Sequence, residues 1–487
     1  MFDLRPFLTE RRRPFFFESI RVTRSVLVFI FAILAGLGAA LWLNFEAGVN
    51  REAAFMGGIF VLATILWLTE AIPLYATSLL IIGLEIILLA NPGGWSFIGF
   101  EEGGGPGYKD IIALAADPIL LLFFGGFLLA RAAMNEGVDE TLSSIFLKPF
   151  GRRPYKMLFG VMSVTACFSL WMSNTAATAM MLALIGPILA GLPPEDKFRK
   201  ALVLGIPFGA NLGGLATPIG SPPNAVAISF LADIGHPISF LTWMLMTIPL
   251  VIVLILFAWQ VLARVFPCSL ESVPEVKSEK KMTWRSNLVV VVFSITALLW
   301  MTDQFHGLPG AVVALFPAII LSVTGVITRN DLNQLEWNIL ILISGGIVLG
   351  TGLSLSGLDD VIVSWLPMDQ GFSVITIGVG LVVLTAVLAT FMSNTAAANL
   401  MVPLGVSSIK AFGGIGGDFI WMAASIALAS ALPMILPIST PPNAIAYGTG
   451  EIKTWHMASV GGLIGLVGIT LVLVGGRFAL SLFGMME

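Results

Sequence analysis

The sequence predicts an all-α polytopic membrane protein assembled from two inverted repeats. Composition, recurring apolar windows and internal matches carry that reading. Of 487 residues, 57% are hydrophobic and 11% charged, against about 25% charged in a soluble domain. A soluble globule of this length has to cover its surface with charge, which this chain lacks. Mean hydropathy is +0.95. Apolar windows lie near 25–44, 54–72, 74–90, 117–134, 200–232, 240–266, 286–303, 309–327, 338–356, 418–449 and 457–484, most of them close to the 20 residues or so that cross a bilayer. Two longer stretches, 156–191 and 373–410, are interrupted by polar residues at their middles. The first 24 residues are basic, and the apolar run after them has no small-residue cleavage site, so it reads as a retained first helix.

The chain repeats itself. Ser173, Asn174, Thr175, Ala176 recurs as Ser393, Asn394, Thr395, Ala396, an offset of 220 residues. Gly125 and Gly126 recur at that offset as Gly345 and Gly346, and Gly137 and Asp139 as Gly357 and Asp359. Pro222, Pro223, Asn224, Ala225 recurs as Pro441, Pro442, Asn443, Ala444, an offset of 219. Four matches in one order at nearly one offset indicate duplication. The charged segment from Pro267 to Arg285 separates the halves. The organisation expected is a cytoplasmic N-terminus with the first helix (1–52), a first repeat (53–268), a linker (269–285) and a second repeat (286–487). The first repeat contains a hairpin over 156–191 and a broken helix over 200–232. The second contains a hairpin over 373–410 and a broken helix over 418–449.

Basic residues set the orientation. With a cytoplasmic N-terminus and each interrupted stretch folded as a hairpin, 21 of the 25 Lys and Arg fall on the cytoplasmic side, and only Arg51, Lys109, Lys410 and Arg477 fall elsewhere. This satisfies the positive-inside rule and fits a bacterial inner membrane. An odd number of crossings then separates the two Ser-Asn-Thr motifs, so the repeats are inverted. The first hairpin opens to the cytoplasm and the second to the outside.

Several function classes drop out. Cys167 and Cys268 give no disulfide framework, and His236, His306 and His456 have no metal-ligand spacing. An intramembrane enzyme would need a nucleophile or metal cluster that these residues do not form, and nucleic-acid binding has no basic patch with aromatics. A passive anion channel is disfavoured because inverted hairpins suit alternating access better than a continuous pore.

The motifs suggest ion chemistry. Non-helical backbone survives at bilayer depth only within protein or beside a water-filled cavity. Ser, Asn and Thr are N-cap residues, so each motif can turn its hairpin and start the second arm. The double prolines should break their helices over Thr217–Asn224 and Ser439–Asn443, since proline lacks an N–H and clashes with the preceding turn. Four half-helix ends would then meet. Such N-termini attract anions, while unwound carbonyls and hydroxyls coordinate a small cation. Neither motif carries Lys, Arg, Asp or Glu, so an anion would be held by neutral donors and a neighbouring cation, as cation-coupled anion transport requires.

Other residues have plainer expected roles. Gly125, Gly126, Gly345 and Gly346 are close-packing positions, Glu70 a helix-end cap or ion-pair partner, and Glu85 a buried carboxylate. Trp67, Trp243, Trp300 and Trp455 are expected as interfacial anchors.

The two Ser-Asn-Thr motifs, the loops Gly220–Asn224 and Ser439–Asn443, and the segment Trp67, Thr69, Glu70, Ala71, Ile72, Pro73 resemble the divalent anion/sodium symporter family over about Trp67 to Gly450. The resemblance implies about eleven transmembrane helices, two re-entrant hairpins, a homodimer joined through scaffold helices, and elevator movement of each transport domain. It implies two or more sodium sites. The first would use Ser169, Ser173, Asn174 and Gly220, and the second Ala389, Met392, Asn394 and Ser439. Substrate would touch Asn174, Thr175, Ser221, Asn394, Thr395, Thr440 and Pro441. One departure stands out: Ala389 occupies a position where the family often has a hydroxyl residue, with Thr390 beside it. The function expected is sodium-coupled import of C4 dicarboxylates such as succinate, malate or fumarate. A sodium-independent dicarboxylate exchanger and a sulfate or citrate carrier are the alternatives.

Overall fold

A helix satisfies the backbone of a long apolar segment within the segment itself, without water, and among the described residues the chain forms helices and no strand. The structure, a computed structural model, describes residues 15–45, 47–96, 98, 105–274, 282–365 and 373–482. Arg5, Arg11, Arg12 and Arg13 at the N-terminus, and Lys277, Lys280 and Lys281 of the central connection, lie outside the described residues.

The first half runs α1 (Phe15–Phe45), α2 (Arg51–Thr69), α3 (Leu74–Leu88), α4 (Tyr108–Ala115), α5 (Pro118–Asn135), α6 (Val138–Leu147), α7 (Pro154–Ser169), α8 (Asn174–Leu184), α9 (Gly186–Gly191), α10 (Phe198–Gly214), α11 (Pro222–Asp233) and α12 (Phe240–Val265). The second runs α13 (Trp284–Met301), α14 (Asp303–His306), α15 (Gly310–Val313), α16 (Leu315–Val323), α17 (Arg329–Asn333), α18 (Trp337–Ser356), α19 (Leu358–Ser364), α20 (Val374–Phe391), α21 (Asn394–Ala411), α22 (Gly416–Ala431), α23 (Pro441–Gly448) and α24 (Thr454–Leu482). The order hairpin, broken helix, long helix recurs, as α7–α8, α10–α11, α12 and as α20–α21, α22–α23, α24. Among the described residues, nine spans are long and apolar enough to cross a membrane. This is a multi-pass membrane protein.

Small residues set how closely the helices approach. Where α1 crosses α2, a Cβ on Gly36 would lie 2.8 Å from the Gly58 carbonyl oxygen, and one on Gly58 equally close to that of Gly36. The four repeated glycines pack as expected. A Cβ on Gly125 would meet the Ala314 oxygen at 2.5 Å and one on Gly126 would meet Ile219 at 3.3 Å, while one on Gly345 would collide with Ser78 and one on Gly346 with Asn399. Glu70 caps the end of α2 in the left-handed region, φ 47°, and Pro73 opens α3 directly afterwards. Glu85 is buried, against Gly352 of α18.

Three of the four tryptophans are not interfacial. Trp67, Trp243 and Trp300 are each fully buried, while Trp455 is 75% exposed. Each buried indole N–H reaches a carbonyl near a helix end: Trp67 to Leu74 (3.2 Å), Trp243 to Leu215 (3.1 Å) and Trp300 to Gly310 (2.9 Å). An indole that fills interior volume and finds a carbonyl for its N–H gains more there than at the headgroups.

The helix breaks also differ from expectation. Pro222 and Pro441 occupy the first turns of α11 and α23, where a missing N–H is harmless. They start new helices and do not interrupt old ones. The second break opens much earlier than Ser439, at 432–440, because Pro433 and Pro437 already prevent α22 from continuing.

Gly213 shows how little slack remains beside the first break. A Cβ there would collide with the Ala166 carbonyl oxygen of α7. Gly213→Ala should cost about 1–3 kcal/mol, as overpacking does, and lower the thermal midpoint in detergent. Gly380→Ala, where a Cβ meets nothing within 4 Å, should hold or raise it through helix propensity.

Candidate functional site

Each Ser-Asn-Thr motif stands at a hairpin tip. α7 ends at Ser169, residues 170–173 turn, and α8 begins at Asn174. Ser173 is the N-cap of α8, its hydroxyl oxygen accepting the Ala176 N–H at 3.3 Å. In the second hairpin α20 ends at Phe391, Ser393 is the N-cap and α21 begins at Asn394. The broken helices present matching ends. Ser221 caps α11 and Thr440 caps α23, the Thr440 hydroxyl accepting the Asn443 N–H at 3.3 Å. The two halves interlock crosswise: α8 packs against α10 and α23, and α21 against α11 and α22.

The first expected cation site is an oxygen cluster. The Asn174 side-chain amide lies 3.2 Å from the carbonyl oxygens of Ala210 and Gly220 and 2.6 Å from Ser169 Oγ. With its nitrogen facing them the amide donates to all three. With its oxygen facing them four neutral oxygens converge, which is what a small hard cation takes from unwound backbone. Two glycines allow the approach. A Cβ on Gly214 would collide with Asn174 Oδ1, and one on Gly220 would sit 2.6 Å from the Gly214 carbonyl oxygen. Ser169 and Gly220 are buried, and Ser173 and Asn174 half-buried.

The second set is looser. Asn394 Oδ1 is buried without a hydrogen-bond partner, Ala389 and Met392 are buried, and the Ser439 hydroxyl donates to the Thr390 carbonyl at 3.3 Å. Thr390 supplies that carbonyl while its own hydroxyl donates to Ala386 at 2.9 Å. Of the expected substrate contacts, Ser221, Thr395 and Thr440 are buried, Asn174, Thr175 and Asn394 half-buried, and Pro441 exposed. Among the described residues no group of three or more His, Cys, Asp or Glu side chains could hold a metal ion.

Residues 23–485 match the family described as the sodium:sulfate symporter transmembrane region. The chain belongs to this symporter family. It is 30% identical over 473 residues to a transporter of Haemophilus influenzae, covering 93% of this chain and 97% of the relative. It is also 30% identical over 464 residues to a sodium-dependent dicarboxylate transporter, SdcS, of Staphylococcus aureus, covering 86% and 85%. Among solved structures its fold is similar to the YdaH transporter of Alcanivorax borkumensis, with TM-score 0.56, 14% identity, and 87% and 99% of the two chains covered. The MtrF efflux pump of Neisseria gonorrhoeae matches with TM-score 0.52 at 11% identity over 84% and 94%. Family and relatives are transporters, and the reading of a carrier and not an enzyme stands.

Two residues at the candidate site were not visible as motifs. Asn211 of α10 donates from Nδ2 to Thr440 Oγ1 (3.1 Å) and Asn443 Oδ1 (3.2 Å), joining the two broken helices across the halves. Its signal was a lone amide in an apolar run, two residues before Gly213. Glu336, the N-cap of α18, accepts the Ser173 hydroxyl at 3.1 Å and sits in no repeat motif. It follows α17, which is clasped to α5 by Arg131 and Asn135 on Asp331, at 3.2 and 2.8 Å. Burial raises the Asp331 carboxyl, yet hydrogen bonds from Thr328, Asn135 and Arg131 outweigh it and hold that carboxyl well below the usual range.

Asn211→Ala leaves Thr440 Oγ1 and Asn443 Oδ1 short of a buried donor. It should destabilise the protein by about 1–3 kcal/mol, read as a lower thermal midpoint of the detergent-purified chain.

Proposed function

We propose that the protein is a secondary active importer of C4 dicarboxylates such as succinate, malate or fumarate, driven by sodium. The observation that supports this reading is the uncharged oxygen cluster of Ser169, Asn174, Ala210 and Gly220 where the first Ser-Asn-Thr tip meets the first broken helix. Further support comes from the sodium-dependent dicarboxylate transporter among the relatives.

The physical account starts from charge. Helix N-termini offer roughly half a positive charge each, worth about 0.3–1 kcal/mol per anionic group. A sodium ion about 4 Å from a carboxylate contributes about 4 kcal/mol at an effective dielectric near 20. The cation therefore decides affinity and the helix ends decide orientation, so the dianion binds the cation-loaded form. Ser169, Ser173, Asn174 and Gly220 hold one sodium, and Ala389, Met392, Asn394 and Ser439 a second through backbone and amide oxygens. The carboxylates are held by Asn174, Thr175 and Ser221 from one half and Asn394, Thr395, Thr440 and Pro441 from the other.

Transport proceeds by an elevator movement. The two inverted repeats, 53–268 and 286–487 about the linker 269–285, contribute their hairpins and broken helices to a moving domain and their remaining helices to a scaffold. Eleven crossings and two re-entrant hairpins, a homodimer, an inner-membrane location and a cytoplasmic N-terminus complete the arrangement.

Because Asn174 serves cation and substrate together, Asn174→Ala should abolish sodium-driven uptake by more than tenfold, roughly the loss of one charge-assisted contact. Uptake with unchanged sodium dependence in that variant would rule out the shared role. Radiolabelled succinate in proteoliposomes tests the whole reading. Accumulation with an inward sodium gradient and none with choline is the expected result. Uptake without sodium that needs a dicarboxylate inside would make the protein an exchanger, the alternative that the departure at Ala389 keeps open.

A further inference from the structure

The first hairpin tip has a charged neighbour from the other half of the chain. Ser173 Oγ donates to Glu336 Oε1 at 3.1 Å across 163 residues of sequence. The second carboxylate oxygen, Glu336 Oε2, is buried and has no hydrogen-bond partner. The nearby guanidinium of Arg131 is directed to Asp331 and Gln334, and no ion pair of Glu336 is found among the described residues.

This contact orients the hydroxyl. Ser173 Oγ accepts the Ala176 N–H with one lone pair and sends its proton to Glu336, so its second lone pair is left to face the tip. A hydroxyl fixed in that sense is an acceptor for a cation. Ionised, the carboxylate brings a negative charge to Ser173, the residue next to Asn174 at the hairpin tip.

On the sodium-coupled reading above, we propose that Glu336 is the charged outer partner of the first cation site. It positions the Ser173 hydroxyl for the cation, and its unpaired oxygen draws a small monovalent cation to the tip. With the site empty, the same charge repels a dicarboxylate, so substrate binds after the cation.

The test is a sodium titration of thermal stability on the detergent-purified full chain, with choline chloride holding ionic strength constant and no dicarboxylate present. Glu336→Gln should move the half-saturating sodium concentration up roughly tenfold, the low end of what losing an outer partner costs a metal site. Glu336→Asp keeps the charge one methylene back and should shift it less. Adding Glu336→Gln to Ser173→Ala should shift the half-point by less than Glu336→Gln does in the wild-type background, since the positioning part acts through the shared contact and only the charge part remains. A purely structural glutamate would lower stability in choline without moving the sodium half-point, and that result overturns the proposal. If Glu336→Gln does not fold, an unshifted half-point in Glu336→Asp overturns it equally. Succinate uptake is measured separately. A wild-type chain stabilised by sodium but inactive with succinate refutes the substrate reading alone, whereas a wild-type chain indifferent to sodium refutes both.

Discussion

Backbone that leaves the helix at bilayer depth must find every hydrogen bond inside the protein, and the two broken helices impose that demand on everything around them. The first break is met by a dedicated set of side chains. Trp243 donates to Leu215, Thr247 to Ala216 at 3.2 Å, and Asn224 to Gly214 and Thr217 at 2.9 and 2.8 Å. Thr217 in turn donates to the carbonyl of Leu170 in the hairpin turn. The double proline spares two N–H groups that would otherwise need partners, and Asn224 takes up carbonyls that the prolines cannot. The loop is thus held open by α12 on one side and the hairpin on the other, leaving the Gly220 carbonyl free to face Asn174.

The second break is longer and less supported. Asn443 donates to Leu436 at 3.1 Å, and Ser439 to Thr390. Asn211 reaches over from the first half to steady Thr440 and Asn443. Sequence symmetry between the halves therefore coexists with structural asymmetry. The first half holds a tight oxygen cluster enforced by Gly214 and Gly220. The second keeps Asn394 Oδ1 unpaired and has alanine where a hydroxyl would add a ligand. On the proposed reading, two cation sites built this way would differ in strength for a reason found in the backbone supports as much as in the ligands.

What could be read from the sequence was what depends on neighbours in sequence. Ser-Asn-Thr makes an N-cap and Pro-Pro-Asn starts a helix whatever surrounds them, so hairpin tips and break ends were legible at their residues. The extent of the second break was not, because Pro433 and Pro437 were overshadowed by the later Pro-Pro pair. The tryptophans failed for a different reason. Position near a segment end suits both a headgroup anchor and a brace for a helix-terminal carbonyl, and only packing decides between them. Asn211 and Glu336 act across 229 and 163 residues, and no local pattern encodes a contact of that range.

The placement of the acidic charge follows from what a carrier has to do. A carboxylate inside the Asn174 cluster would be fully desolvated whenever the cation left, at several kcal/mol per ion, and would hold the cation too firmly for release. Neutral carbonyls, hydroxyls and amides lose far less on emptying, and each round of transport empties the site. They also attract a cation weakly. A carboxylate one hydroxyl away, with its residue half-buried at the head of α18, meets both needs. On that proposal it raises the local cation concentration and orients Ser173, and the Ser173 hydroxyl keeps one of its oxygens hydrogen-bonded in the empty state. Binding strong enough to enter and weak enough to leave is the general requirement on conduction sites. On this proposal it separates the ligands, carried by the Ser-Asn-Thr and Pro-Pro-Asn motifs, from the charge, carried by a residue outside them.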